Sequence, residues 1–188
     1  MESSKFDAAS TALILIDLQH GIVGSQTAPY AASAVVEKGA TLAKAFREKG
    51  ATIVYVRVDL NNFLRLPTDL PHGVPDNTPA IASEIVPESG IQPTDLIITK
   101  RHWGAFSGTD LEEQLRNAGV KTVVIGGIAT NIGVETTARN AAGLGFAVVV
   151  VEDACTDRDA GTHQSSFEKI FPRLGRVRKA AEVIEALG

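Results

Sequence analysis

Five short and nearly unbroken aliphatic runs, residues 12–16, 52–58, 96–99, 122–125 and 147–151, recur along this chain, with stretches of helical spacing between them. A strand that is apolar at almost every position has both faces buried, as in a parallel sheet covered by helices on either side. The intervening segments supply those helices. Val35, Leu42, Ala43 and Phe46 share one helical face, and Leu111, Leu115 and Ala118 share another. Phe167, Ile170, Phe171 and Leu174 repeat the pattern, as do Ala180, Val183, Ile184 and Leu187. Thr109 followed by Glu112 reads as a capping box that starts a helix. Gly50, Gly119 and Gly145 stand where a helix should end and hand over to a strand. Strands alternating with helices call for right-handed crossovers. The expected fold is therefore α/β, a doubly wound, mainly parallel sheet with helices on both faces in three layers.

A chain of 188 residues suits one domain, taken as residues 1–188, and can bury a full core between a sheet and two helix layers. Its formal net charge of -4 carries no basic excess, which argues against a nucleic-acid partner. Apolar runs such as 147–151 are far too short to cross a bilayer, so no membrane role is expected. The first ten residues, MESSKFDAAS, lack the basic-then-apolar pattern of a signal peptide, and a cytoplasmic location follows by default. A single cysteine, Cys155, cannot form an internal disulfide. The one departure from strand–helix alternation is residues 59–94, which hold six of the eight prolines. A connection of this length inside a domain is usually functional, as a lid or an oligomer contact.

Ligands of open parallel sheets bind beyond the carboxyl ends of the strands. That rule nominates Asp17 after the first run, Lys100 after the third, the segment GGIATNIG leaving the fourth, and Asp153 closing the fifth.

The segments ILIDLQHGI and ITKRHWGAFSGTDLEEQLRNAGVKTVVIGGIATNIGVETTARNAAGLGFAVVVVEDACTD resemble, in order and spacing, the successive motifs of the isochorismatase-like (cysteine hydrolase) family. The resemblance covers roughly residues 12–157. It implies a six-stranded, parallel, doubly wound sheet. It also implies an Asp–Lys–Cys triad of the kind that family amidases use. Asp17 and Lys100 fall on the first two positions. The third falls on Gly133, where the family's amidases have cysteine, and Cys155 lies elsewhere, in a slot that resembles a small structural position. Without a thiolate at residue 133 a thioester-forming mechanism has no nucleophile.

True isochorismatases resemble this sequence at that point, several having glycine, and they cleave a vinyl ether without a covalent intermediate. The resemblance then implies an aspartate that protonates the substrate, a lysine that stabilises charge, and a water that captures the cation. It further implies a non-proline cis peptide at Ile128–Ala129, with the backbone N–H groups of Ala129 and Gly133 aimed at an anion and Thr130 supporting the loop.

Trp103 and Phe106, close after Lys100, read either as a hydrophobic plug or as an aromatic wall for a planar substrate. Arg57 and Arg101 are candidates for binding a substrate carboxylate. No cofactor is expected, because the glycines lack dinucleotide-loop spacing. No metal is expected either. The family's zinc-binding Asp-x-His reads Asp59-Leu60-Asn61 here, and His20, His72, His102 and His163 have no ligand-like spacing.

Two functions of different class remain. One is a cofactor-free hydrolase of a small-molecule substrate, using Asp17 and Lys100. The other is a catalytically silent binding or regulatory protein that keeps the pocket. A homo-oligomer is expected in either case, with residues 59–94 at or near the contact.

Overall fold

In the computed structural model, which describes residues 5–188, the aliphatic runs become strands of one sheet whose pairings are all parallel. The strands are β1 (Thr11–Ile16), β2 (Thr52–Val58), β3 (Leu96–Lys100), β4 (Thr122–Ile128), β5 (Ala147–Thr156) and β6 (Arg176–Arg178), in the order β3-β2-β1-β4-β5-β6. The helices are α1 (His20–Val23), α2 (Ala32–Glu48), α3 (Leu111–Asn117), α4 (Glu135–Gly143), α5 (Ala160–Ser165), α6 (Phe171–Leu174) and α7 (Ala180–Ala186). The first four residues of the MESSKFDAAS stretch lie outside the described residues. Among the described residues no helix is long and apolar enough to cross a membrane.

Alternation along β1 divides the core in two. Leu13 and Leu15 join Val35, Leu42 and Phe46 of α2 and Val183 of α7 on one face. Ala12, Ile14 and Ile16 join Leu111 and Leu115 of α3, Ala138 and Ala141 of α4 and Phe171 of α6 on the other. Fully buried side chains such as Phe46 and Leu115 each contribute ~1.5–3 kcal/mol by leaving water. Gly50, Gly119 and Gly145 have φ of 73°, 73° and 86°, the left-handed conformation that ends a helix without the penalty a Cβ would bring.

Local details differ from the sequence expectations, each for a physical reason. The Thr109 hydroxyl is turned back to donate to the Ala105 carbonyl at 2.5 Å, and Asp110 occupies the N-cap of α3, so the expected capping box does not form. Ala118 is exposed, because α3 ends at Asn117 and Ala118 is its C-cap, where the chain turns away from the core face. β5 continues past Val151 to Thr156 through an irregularity in its pairing with β4, so Asp153 does not close it. Asp153 instead accepts the Ala180 N–H at 2.7 Å and pairs with Lys38 at 3.4 Å, fastening the helix layer of α2 and α7.

Residues 59–94 pack back on the sheet through a small cluster of Val58, Leu60 and Phe63. Gln19, fully buried just after β1, anchors this segment. Its Nε2 donates to the carbonyls of Val58 and Ala82, both at 3.0 Å, and its Oε1 accepts the Val58 N–H at 2.7 Å. Leu64, Leu66, Leu70 and Ile81 remain exposed by half or more.

Candidate active site

The chain winds outward from β1 in both directions, to β2 on one side and β4 on the other, so a crevice opens at the carboxyl ends of β1 and β4. Asp17 is the first residue beyond β1. It has φ 54°, and its N–H donates to the Val56 carbonyl at 2.8 Å. Its Oδ2 lies 2.9 Å from Lys100 Nζ. Lys100 ends β3 and is separated from β1 by β2, a span of about 9–10 Å across two strand spacings. Only a long side chain laid across the end of β2 closes that gap. The pair therefore comes from non-neighbouring strands. Lys100 is 1% exposed and also donates to the Trp103 carbonyl at 2.7 Å.

Asp17 Oδ1 is buried with no hydrogen-bond partner. Burial pushes the Asp17 carboxyl above its ordinary value, and the opposing pull of Lys100 does not cancel that rise. The third element is Gly133. A Cβ placed on it would stand 3.1 Å from Ile16 Cγ2, 3.2 Å from Lys100 Nζ and 3.4 Å from Asp17 Oδ2. The three positions thus meet at one point of the sheet edge.

The loop that carries Gly133 is held on several sides. Gly127, near the end of β4, has φ 131° and lies directly against the Ile16 backbone. The Ile128–Ala129 peptide is cis. A π-turn, Thr130–Val134, then leads into α4, with the Ala129 carbonyl accepting the Ile132 N–H at 3.3 Å and the Val134 N–H at 3.2 Å. The Asn131 N–H donates to Asp157 Oδ2 at 2.8 Å, and the Thr137 hydroxyl donates to the Gly133 carbonyl at 2.7 Å. Thr130 is fully buried, its hydroxyl 2.8 Å from His163 Nδ1.

The other candidates separate. Trp103 stays beside Lys100 through its carbonyl and tilts onto Phe63 with ring centroids 4.7 Å apart. Phe106 stacks on Phe146 at 5.9 Å and packs against the core of α3 and α4, which is the plug arrangement. Arg57 bonds Thr99 and Glu84, and Arg101 donates to the Asn62 carbonyl. Cys155 is fully buried opposite Gly127 in the β4–β5 register, and burial pushes its thiol far above the ordinary range.

Gln19, Asp157 and His163 were not singled out by the sequence. Asp157 ends the quoted VEDACTD motif, so position alone could have found it. Gln19 likewise lies inside the quoted ILIDLQHGI segment, whereas His163 carried no local signal, because its partner is distant in the chain.

This geometry places the chain among doubly wound α/β proteins with a charged pair at the carboxyl edge of the sheet. Residues 11–182 match the isochorismatase domain. The isochorismatase family protein YecD of Escherichia coli O157:H7 is 43% identical over 195 residues, covering 97% of this chain and 99% of its own. The family protein YwoC of Bacillus subtilis (strain 168) is 41% identical and covers 98% of each chain. The solved structure of an isochorismatase family protein from Burkholderia thailandensis superposes with a TM-score of 0.89 at 42% identity, covering 95% of each chain. The chain belongs to the isochorismatase family.

Proposed function

We propose that this protein is a hydrolase that acts on a small molecule without a covalent cysteine intermediate, with Asp17 as proton donor and Lys100 as its electrostatic partner. The buried Asp17–Lys100 contact of 2.9 Å, made by the Asp17 oxygen that would stand 3.4 Å from a Cβ on Gly133 while Oδ1 is left unpartnered, carries this reading. Burial that raises the Asp17 carboxyl suits it to hold and deliver a proton. Lys100, anchored on the Trp103 carbonyl, stabilises the charge left on Asp17 after transfer. A glycine at 133 leaves room for substrate or water where a cysteine side chain would stand. Ala129, Thr130 and Trp103 flank this point as substrate-binding candidates, and Phe106 is left to the core.

A panel of vinyl ethers, amides and ureido compounds tests the proposal. Asp17→Asn should lower turnover of any accepted substrate by about 10²–10⁴-fold, the usual worth of a positioned acid. A general acid works only while protonated, so kcat/KM should fall as pH rises through the raised Asp17 pKa. Full activity of Asp17→Asn on the accepted substrate would remove the proton-donor role.

Gly133→Cys, made in a Cys155→Ala background, separates this reading from a silent binding protein. The new thiol would start beside Lys100 and at the entry to α4, both of which favour the thiolate. Gly133 is not in the left-handed region, so a side chain is conformationally acceptable. The thiol should label with iodoacetamide at neutral pH roughly tenfold faster than a model thiol of pKa about 8.5. Labelling no faster than that model would favour the binding-protein alternative.

We also propose a homo-oligomer with residues 59–94 at the contact, where Leu64, Leu66, Leu70 and Ile81 would leave water. Light scattering at micromolar concentration should give a multiple of the chain mass, and a monomer there would count against it.

A further inference from the structure

A second polar cluster meets the loop that carries Gly133 at Thr130 and, among the described residues, shares no hydrogen bond or ion pair with the Asp17–Lys100 pair. His163 lies on α5, 33 residues from Thr130, yet its Nδ1 is 2.8 Å from Thr130 Oγ1, with both residues buried. Its Nε2 faces Glu152 Oε1 at 3.5 Å. Glu152 accepts the Tyr30 hydroxyl at 2.9 Å on the same oxygen, and Lys179 Nζ bonds its Oε2. Phe167 closes over the imidazole with centroids 4.7 Å apart, and Tyr30 meets it edge-on at 6.0 Å. The charged groups that act on His163 are Glu152 and Asp157 of the β5 end and Lys179 ahead of α7.

The donor and acceptor roles follow from this arrangement. Burial would raise Glu152, but hydrogen bonds from Lys179 and Tyr30 hold its carboxyl below the ordinary value. An ionised carboxylate only accepts, so the imidazole proton belongs on Nε2. Nδ1 of a neutral imidazole then presents a lone pair, and the Thr130 hydroxyl must donate to it. Burial lowers the His163 pKa against the pull of Glu152, which keeps the ring neutral at neutral pH.

We infer that His163 is a positioning residue. With its proton on Nε2 it accepts the Thr130 hydroxyl and so holds residues 129–133 in place behind the site. It touches no reacting atom. Together with Asp157 on the Asn131 N–H and Thr137 on the Gly133 carbonyl, it fixes the loop at three successive points. Protonation of His163 places a hydrogen on Nδ1, removes the acceptor for the Thr130 hydroxyl, and frees that corner of the loop. The loop's order does not depend on any reaction, whereas its bearing on turnover rests on the hydrolase proposal.

The experiment therefore reads the loop directly. Hydrogen exchange of the full chain, corrected for the intrinsic pH dependence of exchange, follows amides 129–134 in the wild type and in Thr130→Val, His163→Gln and His163→Phe. Thr130→Val and His163→Phe should speed exchange there roughly tenfold, as loss of one buried hydrogen bond does, and leave α2 unchanged. His163→Gln, whose amide oxygen can accept the hydroxyl, should recover part of the protection. Wild-type protection should fall as pH drops from 7.5 to 5, and that fall should vanish in Thr130→Val. Imidazole ¹⁵N spectra should assign one ring, absent from His163→Gln, to a neutral Nε2–H form that persists below about pH 6.5, where a free imidazole becomes protonated.

An Nδ1–H tautomer, or loop protection unchanged in Thr130→Val at every pH, overturns the inference even if the hydrolase proposal stands. Should His163→Phe fail to fold, Thr130→Val and the wild-type spectra still decide.

Discussion

Replacing Gly127 with alanine is expected to abolish folding. A Cβ there would stand 2.2 Å from the Ile16 carbonyl oxygen and 2.6 Å from the Ile16 nitrogen, far inside contact distance of a backbone that cannot retreat. Ile16 is the register partner of Gly127 across the β1–β4 pairing, so relief would mean separating the two central strands of the sheet. The φ of 131° adds a conformation that side chains rarely adopt. Together these place the cost above about 4–5 kcal/mol, a loss that few single substitutions reach and comparable to a domain's whole stability of ~5–15 kcal/mol. Gly133→Ala is the control. Its nearest contact would be 3.1 Å from the Ile16 side chain, and its backbone is not left-handed, so it should stay folded. Soluble yield and thermal melts of both variants decide the matter. A Gly127→Ala protein that melts within a few degrees of the wild type would mean that β1 and β4 approach less closely than described.

Lys100→Met should destabilise the protein severely and in a pH-dependent way. Removing one partner of a buried ion pair leaves the other charge uncompensated, at a cost of about 3–5 kcal/mol. Here the stranded group is Asp17, already raised by burial and with Oδ1 unpartnered. Without Lys100 its downward pull on the carboxyl is gone, so the folded-state pKa rises further. A raised folded-state pKa means the folded protein keeps a proton that the unfolded chain releases above about pH 3.9. Stability is then fullest below that pH and is lost as pH climbs through the folded-state value. Urea unfolding should accordingly show a much larger deficit at pH 8 than at pH 5. Adding Asp17→Asn to Lys100→Met removes the charge and should recover most of the loss. Asparagine suits position 17, because it tolerates the φ of 54° seen there. A deficit independent of pH, or no recovery in the double variant, would show that lost packing and the lost bond to Trp103, not the stranded charge, set the cost.

By itself the sequence determined the elements and the edge of the sheet where charged groups collect. Continuous apolar runs bury both faces of a strand, helical spacing marks the layers on either side, and Gly50, Gly119 and Gly145 end helices because a left-handed residue is needed there. These are local properties, written in neighbouring residues, and so Asp17, Lys100 and Gly133 could be named from strand ends and motif spacing. What only the tertiary structure decided is non-local. The placement of β2 between β1 and β3 makes the Asp17–Lys100 contact depend on the length of a lysine side chain. The irregular pairing of β5 with β4 carries the strand past Asp153, turning that residue toward α7 and leaving Asp157 to hold the loop. Gln19 binds residues 39 and 63 positions away, and His163 meets Thr130 across 33. Such contacts leave no local pattern, because their energies arise only when packing removes water from both partners at once and each buried polar group must find the other.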